Sequence, residues 1–305
     1  MLRVTFLGTA AARPTVRRNV TSISVHRGGE SFLFDCGEGT QRQMMRFGTG
    51  FSIDSIFFTH MHADHILGLP GLLRTMALQG REDPIELFGP VGSERTIREA
   101  VHLGAERVPF QVTITELEPN VPVDRGEYAM VPFRATHTDH ALGYALVEGE
   151  RLGRFDVERA RELGVPNGPL FGRLHRGESV EVDGHTITPT DLVGAARPGR
   201  KLVFTGDTAP ATQTIEAAQG ADLLIHEATF AEEERERAGE TNHSTAGQAA
   251  EIAKAAGVTR LVLTHISARY SDDPSPLLNE ARSVFKNTDI ANDGLSIEID
   301  FPADG

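Results

Sequence analysis

The chain has 305 residues, 39% of them hydrophobic, which is enough for a packed core and excludes disordered, collagen-like and fibrous classes. No apolar run approaches the roughly 18 residues of a membrane span, and one cysteine, Cys36, excludes an internal disulfide and a multi-thiolate metal site. Any metal must therefore rest on histidine and carboxylate. Basic residues number 30 against 43 acidic, a net charge of −13, yet residues 1–29 hold five arginines and no acid, and residues 151–176 hold six arginines against three acids. Two local basic patches suit a nucleic-acid substrate, because local fields steer binding, or else arginines that coat solvated surface. The chain opens directly on the strand-like Leu2-Arg3-Val4-Thr5-Phe6, which points to the cytoplasm.

In chain order, short β-rich runs come first: Leu2–Leu7, Ser22–His26, Ser31–Asp35 and Ser55–Thr59, set apart by turns such as Arg27-Gly28-Gly29. Strand-like runs continue at Ile85–Phe88, Val112–Glu116, Ala129–Arg134, Leu142–Val147, Leu202–Thr205, Asp222–His226, Arg260–Thr264 and Leu295–Ile299. Helical periodicity marks Thr40–Phe47, Ile66–Gln79, Glu94–His102, Pro210–Gln219, Thr245–Ala256 and Pro276–Phe285, with Thr245-x-x-Gln248 a capping box. Early hairpins followed by strand–helix alternation predict two mixed sheets covered by helices, an α/β architecture other than a doubly wound sheet. From about Gly149 to Glu178 the composition turns rich in arginine and glycine. One helix is expected there, Asp156–Leu163, while the prolines and glycines of Gly164–Gly172 cannot sit in a helix interior or a central strand. The stretch reads as a protruding arm inserted in one domain spanning 1–305.

The strongest local signal is His60-Met61-His62-Ala63-Asp64-His65, directly after the apolar run Ile56-Phe57-Phe58-Thr59. Four ligand-type side chains in six positions, where a loop can curl, can surround one or two metal ions, and the pattern is expected by chance only roughly 0.001 times in such a chain. Six positions cannot close two coordination spheres. Candidates for the rest are His137, Asp207 and His265, each delivered by the end of an apolar strand, where α/β folds collect site residues. His140 competes with His137 on these grounds. His226, inside Leu223-Leu224-Ile225-His226-Glu227-Ala228, reads as a satisfied core residue, and His26, His102, His175 and His185 as surface residues.

His60-x-His62-x-Asp64-His65 with a later His, Gly206-Asp207-Thr208 and Thr264-His265 resembles the metallo-β-lactamase superfamily. Phe34-Asp35-Cys36-Gly37-Glu38-Gly39-Thr40-Gln41, His226-Glu227-Ala228-Thr229-Phe230, Asn242-His243-Ser244-Thr245-Ala246 and Leu263–Tyr270 are similar to ribonuclease Z, a family of endonucleases that remove 3′ trailers from precursor tRNA. The Pro14–Asn19 loop and Gly168-Pro169 are similar to two further motifs of that family, a Pro-x-x-x-Arg-Asn loop and the Gly-Pro of a tRNA-gripping arm. The resemblance runs from Thr5 to about Tyr270 and selects His137 over His140 by its spacing to Gly143-Tyr144. It departs in the net acidity, unusual for a tRNA binder, and in an arm that carries arginine where relatives often have lysine.

What the resemblance implies is an αββα sandwich and two zinc ions per subunit. His60, His62, His137 and Asp207 would hold one ion, and Asp64, His65, Asp207 and His265 the other. Asp64 would also accept the proton of the attacking water. His243 would be the general acid for the leaving 3′ oxygen, with Glu227 orienting its imidazole; a buried structural salt bridge is the other reading of Glu227. Arg17, Arg18, Asn19, Gly168, Pro169 and Arg269 would meet RNA, Arg269 also reading as plain surface. The partner would be precursor tRNA and the assembly a homodimer in which the arm serves the facing subunit. A small-molecule hydrolase of the superfamily, such as a lactonase, thioesterase or cyclic phosphodiesterase, would need neither arm nor basic loop. An RNA-binding scaffold with a structural metal would leave His243 and Glu227 idle.

Overall fold

The computed structural model describes residues 1–104 and 107–302, and among them the chain forms two compact units, the larger from residues 1–147 and 201–300. In the larger unit β1 (Leu2–Gly8), β2 (Ser22–Arg27) and β3 (Glu30–Phe34) make an antiparallel meander. After α1 (Thr40–Phe47), β4 (Ser55–Phe57) joins β3 in parallel. Helices α2 (Ala63–Ile66) and α3 (Leu69–Leu78) lead to β5 (Ile85–Pro90), and α4 (Glu94–Val101) to β6 (Val112–Leu117), both added in parallel. The second sheet opens with β7 (Val123–Asp124), β8 (Tyr128–Arg134) and β9 (Leu142–Glu148).

The second unit follows, Glu148–Arg200 with Phe301 and Pro302, and contains α5 (Val157–Glu162), α6 (Pro169–His175) and a hairpin of β10 (Val180–Val182) and β11 (His185–Ile187). Back in the larger unit come β12 (Lys201–Phe204), α7 (Thr212–Ala218), β13 (Leu223–Glu227), α8 (Arg235–Glu240), α9 (Ala246–Ala256) and β14 (Arg260–Thr264). The chain then forms α10 (Ser275–Val284), β15 (Thr288–Ile290) and β16 (Ser296–Glu298). The sheet orders are β16-β1-β2-β3-β4-β5-β6 and β15-β14-β13-β12-β9-β8-β7.

Side-chain alternation sorts these strands into four layers. Phe32 and Phe34 of β3, Phe204 of β12 and Ile225 of β13 point between the sheets, whereas Leu33 faces α1 and α3, and Val203 and Leu224 face the alanine-rich α9. Across the sheets Phe34 packs on Phe204 and Tyr144, ring centroids 5.2 and 5.8 Å apart. This is the expected αββα sandwich. The capping box at Thr245 is formed in both directions.

Three expectations change. The helix expected over Ile66–Gln79 breaks at Gly68, where a Cβ would stand 2.0 Å from the carbonyl oxygen of Gly37, so the break lets the Cys36-Gly37 turn close on the histidine loop. Part of Gly164–Gly172 is helical after all: Pro169 takes the first position of α6, where its missing N–H costs nothing, and Gly172 lies within the helix. The second unit also runs past Glu178 to Arg200, because β10 and β11 supply Val180 and Ile187 to a core shared with Ala160, Val165, Leu174 and Leu192. A buried bidentate pair, Arg200 Nε and Nη2 to Glu148 Oε2 and Oε1 at 2.7 Å each, joins its two ends, and Arg151 and Arg200 both lie over the Phe301 ring. No helix among the described residues is long and apolar enough to cross a membrane.

Candidate metal centre

The site forms where strands end. β4 runs into Thr59-His60, β8 leads to His137, β12 to Asp207, β13 ends on Glu227 and β14 is followed by His265. Gly206 sits at φ +61, and a Cβ there would meet Thr59 at 2.8 Å, so the turn carrying Asp207 can approach the histidine loop only as glycine. Ligand atoms of His60, His62, His137 and Asp207 gather within 4.8 Å of one another, as do those of Asp64, His65 and His265, and those of Asp207, His243 and His265. All seven residues expected to hold metal therefore stand together. His140 is exposed and outside the cluster.

The donor set fits a cation. His62 Nδ1 lies 2.9 Å from His60 Nε2 and 3.2 Å from His137 Nε2, a convergence of imidazole nitrogens that ordinary hydrogen bonds do not require. Among the described residues His65 Nε2 and His265 Nε2 are buried without hydrogen-bond partners, and both face carboxylate oxygens of Asp64 and Asp207 at 3.3–3.5 Å. Imidazole nitrogens with carboxylate oxygens and no thiolate suit zinc and neighbouring divalent metals.

A surrounding set of groups fixes three of the rings. Asp35, fully buried and at φ +55, accepts from Thr59 N–H and Oγ1–H and from His65 Nδ1–H, at 2.8, 2.9 and 2.8 Å. His137 Nδ1 faces the carbonyl oxygen of Asn242 at 3.1 Å, and His265 Nδ1 faces Thr229 Oγ1 at 2.9 Å. These contacts leave the opposite ring nitrogen free for a metal. Asp35 and Thr229 lie in two of the family motifs, but nothing local in the sequence marks them as supports, since their role depends on which strand ends meet.

Electrostatics follow the same division. Burial pushes the carboxyls of Asp207 and Asp64 up, but the surrounding histidines outweigh it and hold both well below the usual carboxylate range. Burial takes His60 and His137 below the ordinary imidazole value, and His65 lies well above it because Asp207 and Asp35 outweigh its desolvation. Two carboxylates thus demand positive charge at His65, from a proton or a metal.

Beside the cluster, His243 Nδ1 and Glu227 Oε1 are 2.7 Å apart. Glu227 is fully buried and also accepts from Thr208 N–H and from Thr229 Oγ1–H at 2.8 and 2.6 Å. Burial pulls His243 down, yet Glu227 more than compensates and lifts it to about 9. His226 is buried as expected but only half satisfied: Nδ1 meets the carbonyl oxygen of Glu227 at 2.7 Å while Nε2 has no partner among the described residues. Of the four histidines read as surface, His102 and His185 are exposed; His26 and His175 are half-buried and bonded to Ser31 and Gly153.

The residues expected to meet RNA divide. Arg17 is exposed and 3.1 Å from Asp272, Arg269 is exposed and 3.2 Å from Glu234, and a groove of about 540 Å³ runs between Arg13–Arg17 and Ala268–Asp272. Arg18, expected to meet RNA, differs from them: it is 3% exposed, with its guanidinium bonded to Thr9, Ala291 and Asn292. Asn19 is half-buried and donates from Nδ2 to the Glu38 carbonyl. Gly168 sits exposed at φ +142 ahead of the exposed Pro169.

A family model described as beta-lactamase superfamily domain matches residues 173–266, and one described as anti-Pycsar protein Apyc1 matches residues 2–151. The fold and the donor set define a metal-dependent hydrolase of the metallo-β-lactamase class. The chain is 59% identical over 301 residues to ribonuclease Z of Gemmatimonas aurantiaca (98% of this chain, 96% of that protein) and 52% identical over 301 residues to ribonuclease Z of Myxococcus xanthus (98% of each). It belongs to the ribonuclease Z family. In structure it is similar to the short form of human tRNase Z, at a TM-score of 0.72 and 30% identity over 98% of this chain and all of that one.

Proposed function

We propose that this chain is a zinc-dependent endoribonuclease of the cytoplasm that cleaves precursor tRNA at the start of its 3′ trailer, leaving a 3′-hydroxyl on the tRNA and a 5′-phosphate on the trailer. The observation that carries the reading is the His243–Glu227 pair, 2.7 Å apart and beside the ligand cluster. A purely structural metal has no use for a proton donor held by a buried carboxylate. His60, His62, His137 and Asp207 would hold one zinc ion, and Asp64, His65, His265 and again Asp207 the second. Bound there, the pair would supply Lewis acidity and bring the pKa of a water down to about 7.

The chain's own residues do the rest. Asp64 takes the proton of the attacking water. With Nδ1 committed to Glu227, His243 carries its transferable proton on Nε2 and gives it to the 3′ oxygen as the phosphorus–oxygen bond breaks. Exposed Arg13 and Arg17 line the groove, exposed Arg269 follows its lining residue Ala268 in the chain, and the three bind backbone phosphates. The second unit, with Arg154, Arg159, Arg161, Arg173 and Arg176 exposed around its own core, grips the tRNA body. The enzyme acts as a homodimer, each second unit serving the partner's site.

Incubating the protein with precursor tRNA and mapping both new ends tests the reaction. A 3′-hydroxyl and a 5′-phosphate are expected; a 3′-phosphate, a cyclic phosphate or no cleavage would overturn it. Mixing subunits that lack the second unit with subunits carrying Asp64→Ala tests the assembly. Mixed dimers should recover tRNA cleavage, and their formation without recovery excludes gripping in trans.

A further inference from the structure

We propose that Arg18 is a positioning residue for Asp64, acting through the segment Thr9–Ala12, and that it makes no contact with RNA. The inference rests on Asp64 belonging to the reactive centre. Arg18 Nη1 donates to Thr9 Oγ1 at 2.8 Å and to the Ala291 carbonyl at 2.5 Å, and Nη2 donates to Asn292 Oδ1 at 2.8 Å. Thr9 Oγ1–H donates in turn to Asp293 Oδ1 at 2.8 Å, and Asp293 Oδ2 accepts from Asn19 N–H and from Gln43 Nε2–H, each at 2.7 Å. A planar fork with fixed donor directions thus ties Thr9 to the 291–293 turn from the inside.

Thr9 begins the segment that touches the centre. Its carbonyl accepts from Ile266 N–H at 2.8 Å, directly after His265, itself at φ +56. Ala11 N–H returns to the Ile266 carbonyl at 3.0 Å. Ala12 then adopts φ +58, a conformation that an alanine side chain disfavours, and its N–H reaches Asp64 Oδ2 at 2.8 Å. That same oxygen faces His65 Nε2 and His265 Nε2 at 3.4 and 3.5 Å. A left-handed alanine persists where its surroundings over-determine it, and the buried Arg18 network supplies that constraint on one side. It thereby fixes the oxygen of Asp64 that faces the histidines.

Two roles for Arg18 predict opposite results. A phosphate contact would raise KM for precursor tRNA, flatten the salt dependence of binding by roughly 0.7–0.9 in slope, and leave a small chromogenic phosphodiester unaffected. A positioning role predicts that Arg18→Met lowers kcat for both substrates by the same factor, roughly 10- to 100-fold. It should also weaken zinc retention against a chelator and leave the tRNA salt slope unchanged. Arg18→Lys sharpens the contrast, since a point charge can still meet a phosphate but cannot reproduce the fork, so Lys should fail to rescue. Should Arg18→Met not fold, Asn292→Ala removes one bond of the fork alone and should lower turnover of both substrates in the same ratio. Rescue by Lys, an effect confined to tRNA affinity, or unchanged turnover in Asn292→Ala would overturn the proposal. Full activity in Asp64→Ala would instead strike the reading on which it rests.

Discussion

The strand-end cluster and the arginine-rich second unit contrast in how they hold their functional groups. In the cluster His60, His65, Asp207 and His265 are buried, and a second group fixes most of the rings: Asp35 for His65, Asn242 for His137, Thr229 for His265. In the second unit Arg154, Arg161 and Arg176 are exposed around an apolar core that includes Val165, Leu174 and Ile187. Chemistry needs atoms held within fractions of an ångström, which burial and hydrogen bonding provide, whereas gripping a polyanion needs charge of the right sign over an area. The two regions should therefore fail in different ways.

The largest break comes from the cluster. Asp64→Ala should nearly abolish hydrolysis of both precursor tRNA and a small phosphodiester and reduce zinc content measured by atomic absorption. His243→Ala should retain its zinc and lose roughly 10²–10⁴ in turnover, the range of a general acid. His243 also lies within ligand distance of Asp207 and His265, so loss of zinc in that variant would make it a ligand and remove the proton donor from the mechanism.

The second unit should break more gently and for one substrate only. Excising Gly149–Glu178 would leave Val180, Ile187 and Leu192 without the Ala160, Val165 and Leu174 they pack against, so the clean deletion replaces residues 149–199 by a short linker. That variant should bind precursor tRNA more weakly, with the salt slope reduced by roughly 0.7–0.9 for every phosphate that its arginines no longer neutralise. It should still hydrolyse the small phosphodiester at an unchanged rate. A parallel fall for both substrates would show that the two regions are not separable.

The sequence exposed the cluster better than its supports, for a physical reason. His60 to His65 lie within one loop, and Asp207 and His265 each end an apolar run, so their chemistry and placement are local properties. The roles of Asp35 and Thr229 depend on which strand ends meet. Arg18 shows the converse: arginine in a basic loop that resembles the family's Pro-x-x-x-Arg-Asn motif reads as a phosphate contact, and only the 291–293 turn, some 270 residues away in sequence, reveals it as buried. The short edge strands β7 and β15, and the α8 turn, carry too few residues for a periodic pattern. Composition marked the start of the second unit but not its end, since β10 and β11 have ordinary composition and belong to it only by packing.

The smallest effect sharpens the contrast within the cluster, between a carboxylate that tunes chemistry and one that braces a fold. Glu227 bonds three backbone or hydroxyl donors besides His243, so it is also a structural brace, and replacement by a small residue would confuse the two roles. Glu227→Gln keeps the shape and removes the charge. The Glu227 carboxylate overcomes the desolvation of His243 and lifts it to about 9, so its removal lowers the imidazole pKa. A general acid works only while protonated, and turnover falls as pH rises through its pKa. The alkaline limb of kcat should therefore move to lower pH in Glu227→Gln, by roughly one unit or more, with zinc content and melting temperature little changed. A limb that stays in place at reduced stability would make Glu227 a brace alone, and the proton donated to the leaving oxygen would then owe nothing to its charge.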